Sequence, residues 1–255
     1  MFADILIYLF VFILGLCAGS FLNCVIYRLE KEKKMTTRSY CPKCKKQLEW
    51  RDLVPVLSFF ILKGKCRSCK KPISWQYPIV EISTAAIFLL IFNFQFSIFN
   101  FENIASLIFY WAINCFLIII FVYDLKHYLI PDKVLFPAII IALIYDLFAI
   151  NYLLAAAVAS GFFLVIFLIS KGCWMGFGDV KLAVLMGLLL GLPNVLAALF
   201  LAFFFGAIIG LILMVFDKKN LKSEIPFGPF LIAGTFIAML WGPQIIQWYS
   251  RLFSN

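Results

Sequence analysis

Two short stretches carry the residue types that acid–base chemistry needs. One runs Tyr123-Asp124-Leu125-Lys126-His127-Tyr128-Leu129-Ile130-Pro131-Asp132, the other Gly176-Phe177-Gly178-Asp179-Val180-Lys181. Asp124 and Asp179 each stand at the end of an apolar run, where a carboxylate costs up to about 2.5–3.5 kcal/mol at the bilayer centre and less near the interface. Two carboxyl groups held close together cannot both ionise easily. They share a proton, one acting as base toward a water and the other as acid toward an amide. Such a pair suffices for peptide hydrolysis, which makes Asp124 and Asp179 the candidate catalytic residues. The glycines flanking Phe177 would let the backbone approach a substrate strand closely. No Ser/His/Asp set competes, because the sole histidine, His127, has no identifiable nucleophile or orienting acid.

Each carboxylate also has a structural reading. Asp179 could cap the helix that starts at Val180-Lys181-Leu182, and Asp124 could be the polar end of a span. Asp132, after Pro131, reads as an acidic residue favouring a helix start, and His127 as an interfacial side chain. Glu81, after Pro78, is either a helix-start carboxylate or a polar group lining a cavity.

A second chemical set lies upstream. Cys41 and Cys44 in Cys-Pro-Lys-Cys, then Cys66 and Cys69 in Cys-Arg-Ser-Cys, have zinc-ribbon spacing. Four thiolates would close a tetrahedral Zn2+ site, leave no open position for catalysis, and supply folding energy that this Lys-rich stretch lacks. The competing readings are two disulfides or four unrelated thiols, and a reducing cytosol counts against disulfides. Cys17, Cys24, Cys115 and Cys173 lie in or next to helices and read as small packing residues.

These residues must be positioned by a membrane fold. Hydrophobic residues make up 64% of 255 positions and charged residues 14%, against about 45–50% and about 25% in soluble domains. The patterning predicts helices near 5–27, 79–98, 104–123, 133–150, 153–170, 180–192, 195–216 and 227–248. The first run, with Asp4 before it and no small-residue cleavage site, reads as a retained helix. The segment 180–192 is short, and Pro193-Asn194 could make it half of a broken hairpin, so seven or eight spans both stand.

The net charge of +9 is confined to a few loops, which argues against nucleic acid as a partner. Arg28 to Lys71 carries fourteen Lys or Arg and the loops around 124–133, 171–181 and 217–224 carry seven more. With eight spans these loops share one face, which the positive-inside bias makes cytoplasmic, with both termini outside. The opposite loops, near 99–103 and 151–152, hold Glu102 and no basic residue. The fold class is therefore all-α and polytopic, with about eight transmembrane helices and a small cytoplasmic zinc-ribbon-like insert between the first and second. Expected segments are 1–27 (first helix), 28–78 (basic tetracysteine insert) and 79–255 (polytopic helical part). No internal repeat at a period of 20–50 residues is evident.

In order along the chain come Gly19-Ser20-Phe21-Leu22-Asn23 with Tyr27-Arg28-Leu29, the paired CxxC turns, Tyr77-Pro78 with Glu81, Asp124 to Asp132, Gly176 to Lys181, and Pro226-Phe227-Gly228-Pro229. This ordered set resembles the bacterial type IV prepilin peptidases, which are GxGD membrane aspartic proteases. The resemblance implies an inner-membrane enzyme that cuts the basic leader from prepilin or pseudopilin precursors at the cytoplasmic face. It also implies methylation of the new amino terminus with S-adenosylmethionine, with the insert and its flanking helices as the methyltransferase part and 79–255 as the peptidase part. The family's catalytic aspartates match Asp124 and Asp179. A commonly acidic position of the family is Lys126 here, and the first-helix motif reads Asn23-Cys24-Val25. No G-x-G-x-x-G cofactor loop follows a strand, so no residue is assigned to S-adenosylmethionine. The basic loops are read as fixing topology and meeting anionic lipid headgroups. Two other functions are weighed: a presenilin-like enzyme cutting within the bilayer, and a non-enzymatic scaffold or transporter whose aspartates bind ions or cap helices.

Overall fold

The structure, a computed structural model, describes residues 2–34, 38–96, 103–145, 149–216 and 225–253. Among them the regular elements are helical: α1 (Phe2–Glu30), α2 (Leu57–Ile61), α3 (Gln76–Phe96), α4 (Asn103–His127), α5 (Asp132–Tyr145), α6 (Ile150–Ser170), α7 (Phe177–Leu190), α8 (Asn194–Val215) and α9 (Gly228–Phe253), with a 3-10 turn at Trp50–Asp52. The predicted spans all appear as helices. The breaks fall where the chain can leave helical geometry: Tyr128 after α4, Lys171 and Gly172 after α6, and Gly191 after α7 all have positive φ. Most of the loop expected near 99–103, including Glu102, and the basic loop 217–224 lie outside the described residues.

Among the described residues six helices, namely α1, α3, α4, α6, α8 and α9, are long and apolar enough to cross a membrane. Helices α5 and α7 have 14 residues each. At 1.5 Å per residue each reaches about 21 Å, short of a hydrocarbon core of about 30 Å. Set against about eight expected spans, with 180–192 read as short, the described residues hold six helices of spanning length and two short ones, α5 and α7.

The chain divides into two compact units, Met1–Ile119 and Ile120–Asn255. In the first, α1 packs along α3. Glycines set the closeness: a Cβ on Gly15 would lie 2.5 Å from the Ala85 Cα, and one on Gly19 would lie 2.6 Å from the Glu81 Cα. Val11, Phe88 and Phe92 form a buried cluster there. Trp111 stacks on Phe88 at 4.8 Å and donates its indole N–H to the Phe88 carbonyl at 3.1 Å. The insert hangs between α1 and α3. Its one buried aromatic is Phe59 on α2, which packs on Trp75 at 4.9 Å.

In the second unit α7 is the central helix. Ten of its fourteen residues are buried, and α5, α6, α8 and α9 all pack on it. The closest approach is again at a glycine, Gly187, where an added Cβ would overlap the Ala155–Ala156 backbone of α6. Gly234 of α9 stands in the same relation to Ala198 of α8.

Overpacking a close interface costs about 1–3 kcal/mol, and more where backbone rather than side chain must yield. Gly187→Val should therefore lower the thermal midpoint of the detergent-solubilised protein by several degrees or prevent its accumulation. Gly161→Ala, where no atom lies within 4 Å of the added Cβ, should leave the midpoint unchanged.

Candidate active site and metal centre

Asp124 lies one turn before the end of α4, and Asp179 is the third residue of α7. Both belong to the second unit and both are buried, with only 4% and 8% of their surface exposed. The chain after Asp124 turns sharply: the Tyr128 N–H donates to the Asp124 carbonyl at 2.9 Å, and Tyr128 has φ of 56°. This turn sends Ile130 inward, where it meets two glycines. A Cβ on Gly178 would lie 3.1 Å from the Ile130 Cβ, and one on Gly228 would lie 3.5 Å from its Cδ1. Ile130 is thus wedged between the residue preceding Asp179 and the residue that touches Asp124. Through Ile130 the two carboxyls are brought into one neighbourhood, near enough for the charge on Asp124 to act on Asp179.

Each carboxyl has a backbone partner. Asp124 accepts from the Gly228 N–H, and a Cβ at position 228 would sit 2.5 Å from the Asp124 Oδ2. Asp179 accepts from the N–H of Gly176, the residue before the first turn of α7. That bond is half of a capping box. The N-cap is therefore Gly176 and not Asp179, which sits at the third helical position and reaches back to it, and burial beside a second carboxyl is not something this bond needs. The two glycines of the GxGD stretch differ in role. Gly178 is filled against Ile130, whereas the nearest atom to a Cβ on Gly176 is the Gly178 nitrogen at 3.9 Å, so only Gly176 leaves room for an approaching chain.

The remaining polar residues sort themselves. Asp132 begins α5 and accepts from the Lys181 ammonium. His127 is exposed, with its ring 4.5 Å from that of Tyr123. Glu81 is not at a helix start: it is the sixth residue of α3, buried, and its carboxylate accepts from the Val56 N–H at 2.7 Å and from Ser20. Asn23 is buried beside it in the first unit, donating to the Tyr77 carbonyl at 3.1 Å and accepting from Gln76 at 3.3 Å. Sequence reasoning gave no role to Gly228. The signal was a glycine flanked by prolines at the start of an apolar run, a pattern that marks a helix start but not its neighbour.

The structure gathers Cys41, Cys44, Cys66 and Cys69 so that their sulfurs lie within 4.8 Å of one another. All four are free thiols. A tetrahedral ion with bonds of about 2.3 Å needs sulfurs about 3.8 Å apart, and the Cys41 and Cys69 sulfurs are 3.9 Å apart. The donor set therefore fits a thiolate-preferring, four-coordinate ion. The two turns are copies of one another. In each, the first cysteine N–H bonds to the second of two lysines (Lys46, Lys71) at 2.9 Å, and the first lysine (Lys45, Lys70) has positive φ. A β-bridge closes each turn, Tyr40 to Gln47 and Lys65 to Pro72. This is a short repeat that the expectation of none overlooked, because only the cysteines and two lysines are shared. Backbone N–H groups of Cys69 and Ser68 draw the Cys66 thiol down to about 7, so one thiolate is available near neutral pH.

Residues 13–95 match the family described as Bacterial Peptidase A24 N-terminal domain, and residues 111–211 match the Type IV leader peptidase family. The prepilin leader peptidase/N-methyltransferase of Legionella pneumophila is 34% identical over 95% of this chain and 94% of that protein. The protein of the same name from Bacillus subtilis is 34% identical over 94% of this chain and 97% of its own. That of Pseudomonas aeruginosa is 31% identical over 93% and 91%. No solved structure matches the chain.

The sulfur geometry predicts that Co2+ added to metal-stripped protein gives the intense thiolate charge-transfer and tetrahedral bands of a four-sulfur site at one equivalent. Protons compete for thiolates, so these bands should fade as the pH is lowered. Cys66→Ser should weaken them strongly.

Proposed function

The chain belongs to the type IV leader peptidase family, and from that premise we propose that it is a membrane aspartic endopeptidase that removes the basic leader of prepilin-like precursors and methylates the exposed amino terminus. The observation that carries the peptidase half is the burial of Asp124 and Asp179 as neighbours in one unit, each with one backbone donor. One carboxyl, unprotonated, takes a proton from a water that attacks the scissile carbonyl. The other, protonated, donates toward the amide as the tetrahedral intermediate forms and collapses. Gly228 holds Asp124 by its N–H. Gly176, which carries no side chain, gives the substrate backbone access next to Asp179.

In this reading Cys41, Cys44, Cys66 and Cys69 hold a structural Zn2+ that stabilises the insert and leaves the carboxyl chemistry to the second unit. S-adenosylmethionine is the methyl donor, as the names of the relatives suggest. The enzyme lies in the bacterial inner membrane with the basic insert and both aspartates facing the cytoplasm and both termini outside. Its lysines and arginines meet anionic lipid.

The direct test is reconstitution in lipid with a prepilin bearing its leader, read by intact mass. Wild type should lose the leader and gain one methyl when S-adenosylmethionine is present. Asp124→Asn and Asp179→Asn should each lower cleavage by about 10²–10⁴-fold or more while keeping the cobalt spectrum of the insert. Retained cleavage in both variants would remove the dyad assignment. Gly228→Ala should push the Asp124 carboxyl aside and slow cleavage by about 10²-fold, the scale of an ångström-sized misplacement, with little change in the substrate concentration at half-maximal rate.

A further inference from the structure

The insert carries more apolar surface outside than inside. Trp50, Leu53, Leu57, Phe60 and Ile61 are 72%, 42%, 61%, 58% and 73% exposed, and Trp75 is 63% exposed. Trp50, Leu53, Leu57 and Phe60 thus make an exposed apolar stripe along the chain, running through the 3-10 turn, the bends that follow it and the start of α2. The stripe is not free to choose its level. Val56, immediately before α2, donates its N–H to Glu81 at 2.7 Å, and Glu81 lies more than one turn inside α3, a helix of spanning length. Val56 adopts φ of 60° to reach it. The bond pins the base of α2 to the depth of the first turns of a membrane helix.

Charge lies around this stripe. Arg51, Lys63, Lys65 and Arg67 are exposed, and Arg67 pairs with Asp52 at 2.8 Å. Exposed Trp, Leu, Phe and Ile with exposed cations beside them in the chain, on a segment bonded to a membrane helix, is the pattern of a segment that lies in a membrane interface.

We propose that residues 50–61 and Trp75 form an interfacial anchor that inserts into the anionic leaflet beside α3, with the Glu81–Val56 bond setting its depth. It deepens the lipid contact proposed above and rests on that orientation, not on the peptidase reading. Its occupant is lipid. Anionic headgroups complement the exposed cations, the stripe is joined through Glu81 to a helix already in the bilayer, and Trp50 and Trp75 suit the boundary between headgroup and chain.

The test uses full-length protein in nanodiscs of phosphatidylglycerol with phosphatidylethanolamine, in which the acyl chains are brominated near the glycerol end. The fluorescence lost on Trp50→Phe, taken as a difference from wild type, should be quenched by about half or more in brominated relative to plain lipid, and Trp75→Phe should behave alike. The paired change Leu57→Glu and Phe60→Glu should abolish most of that quenching while leaving the four-sulfur cobalt spectrum intact. Glu81→Gln, which keeps shape but weakens the acceptor, should reduce quenching in part. If the Trp50 difference signal is unquenched in brominated lipid, the anchor is refuted. If it becomes shielded only when a prepilin is added, the stripe is a protein-docking face and the lipid proposal fails. Leader cleavage by the same samples is scored separately, so loss of the anchor and loss of the peptidase reading give different results.

Discussion

Lipid chains are as apolar as leucine, so helices inside a bilayer gain nothing from hiding leucine against each other. What they can gain is contact. In this chain that contact is made at residues without side chains: Gly15 and Gly19 on α1 against α3, Gly187 on α7 against Ala155 and Ala156, and Gly234 on α9 against Ala198. Gly15 and Gly19 are one turn apart, so a single face of α1 is flattened over two contacts with the α3 backbone. These approaches fix which helices are partners, and everything polar is placed relative to them.

The polar placements then follow a common rule. A carboxylate inside such a fold needs a donor that costs no extra side chain, and backbone N–H groups freed at helix starts or in turns supply it. Gly228 at the start of α9 serves Asp124, Gly176 before α7 serves Asp179, and Val56 before α2 serves Glu81. At Gly228 the donor is a glycine because the Asp124 carboxyl occupies the space that a Cβ would take. Asp124, Asp179 and the buried Glu81 are thus held by the same part, a helix-start amide aimed at an acid.

Much of this was legible in the sequence, and for physical reasons. A bilayer demands long apolar runs, so the helix positions were readable within a few residues, and four cysteines at ribbon spacing announced that their sulfurs come together. Asp124 and Asp179 stood out because charge at a membrane boundary is costly. What escaped reading depends on contacts distant in the chain. Nothing local tells that Gly228 abuts residue 124, or that Glu81 reaches back to residue 56. The shortness of α7 was legible from Pro193-Asn194, whereas that of α5 was not, because an apolar run sets a limit on spanning but not on where a helix stops. The duplication of the cysteine turns was hidden by its brevity: the shared fold is made by main-chain bonds that different side chains tolerate.

The shortness of α7 also sets a depth. Gly187 against Ala155–Ala156 and the Phe177 ring 5.3 Å from that of Phe167 give the antiparallel register of α7 on α6. In that register Asp179 is level with about residue 163 of α6, some seven residues or about 10 Å short of the end of α6 at Ser170. At the far end, Asn151 bonds both the N–H and the carbonyl of Leu192 at 3.3 and 3.1 Å, so the irregular stretch there is sealed by one side chain. For the dyad proposed above, a peptide bond would have to be carried below the end of α6 to reach Asp179, and a helical segment could deliver it there only by surrendering the hydrogen bonds around that bond.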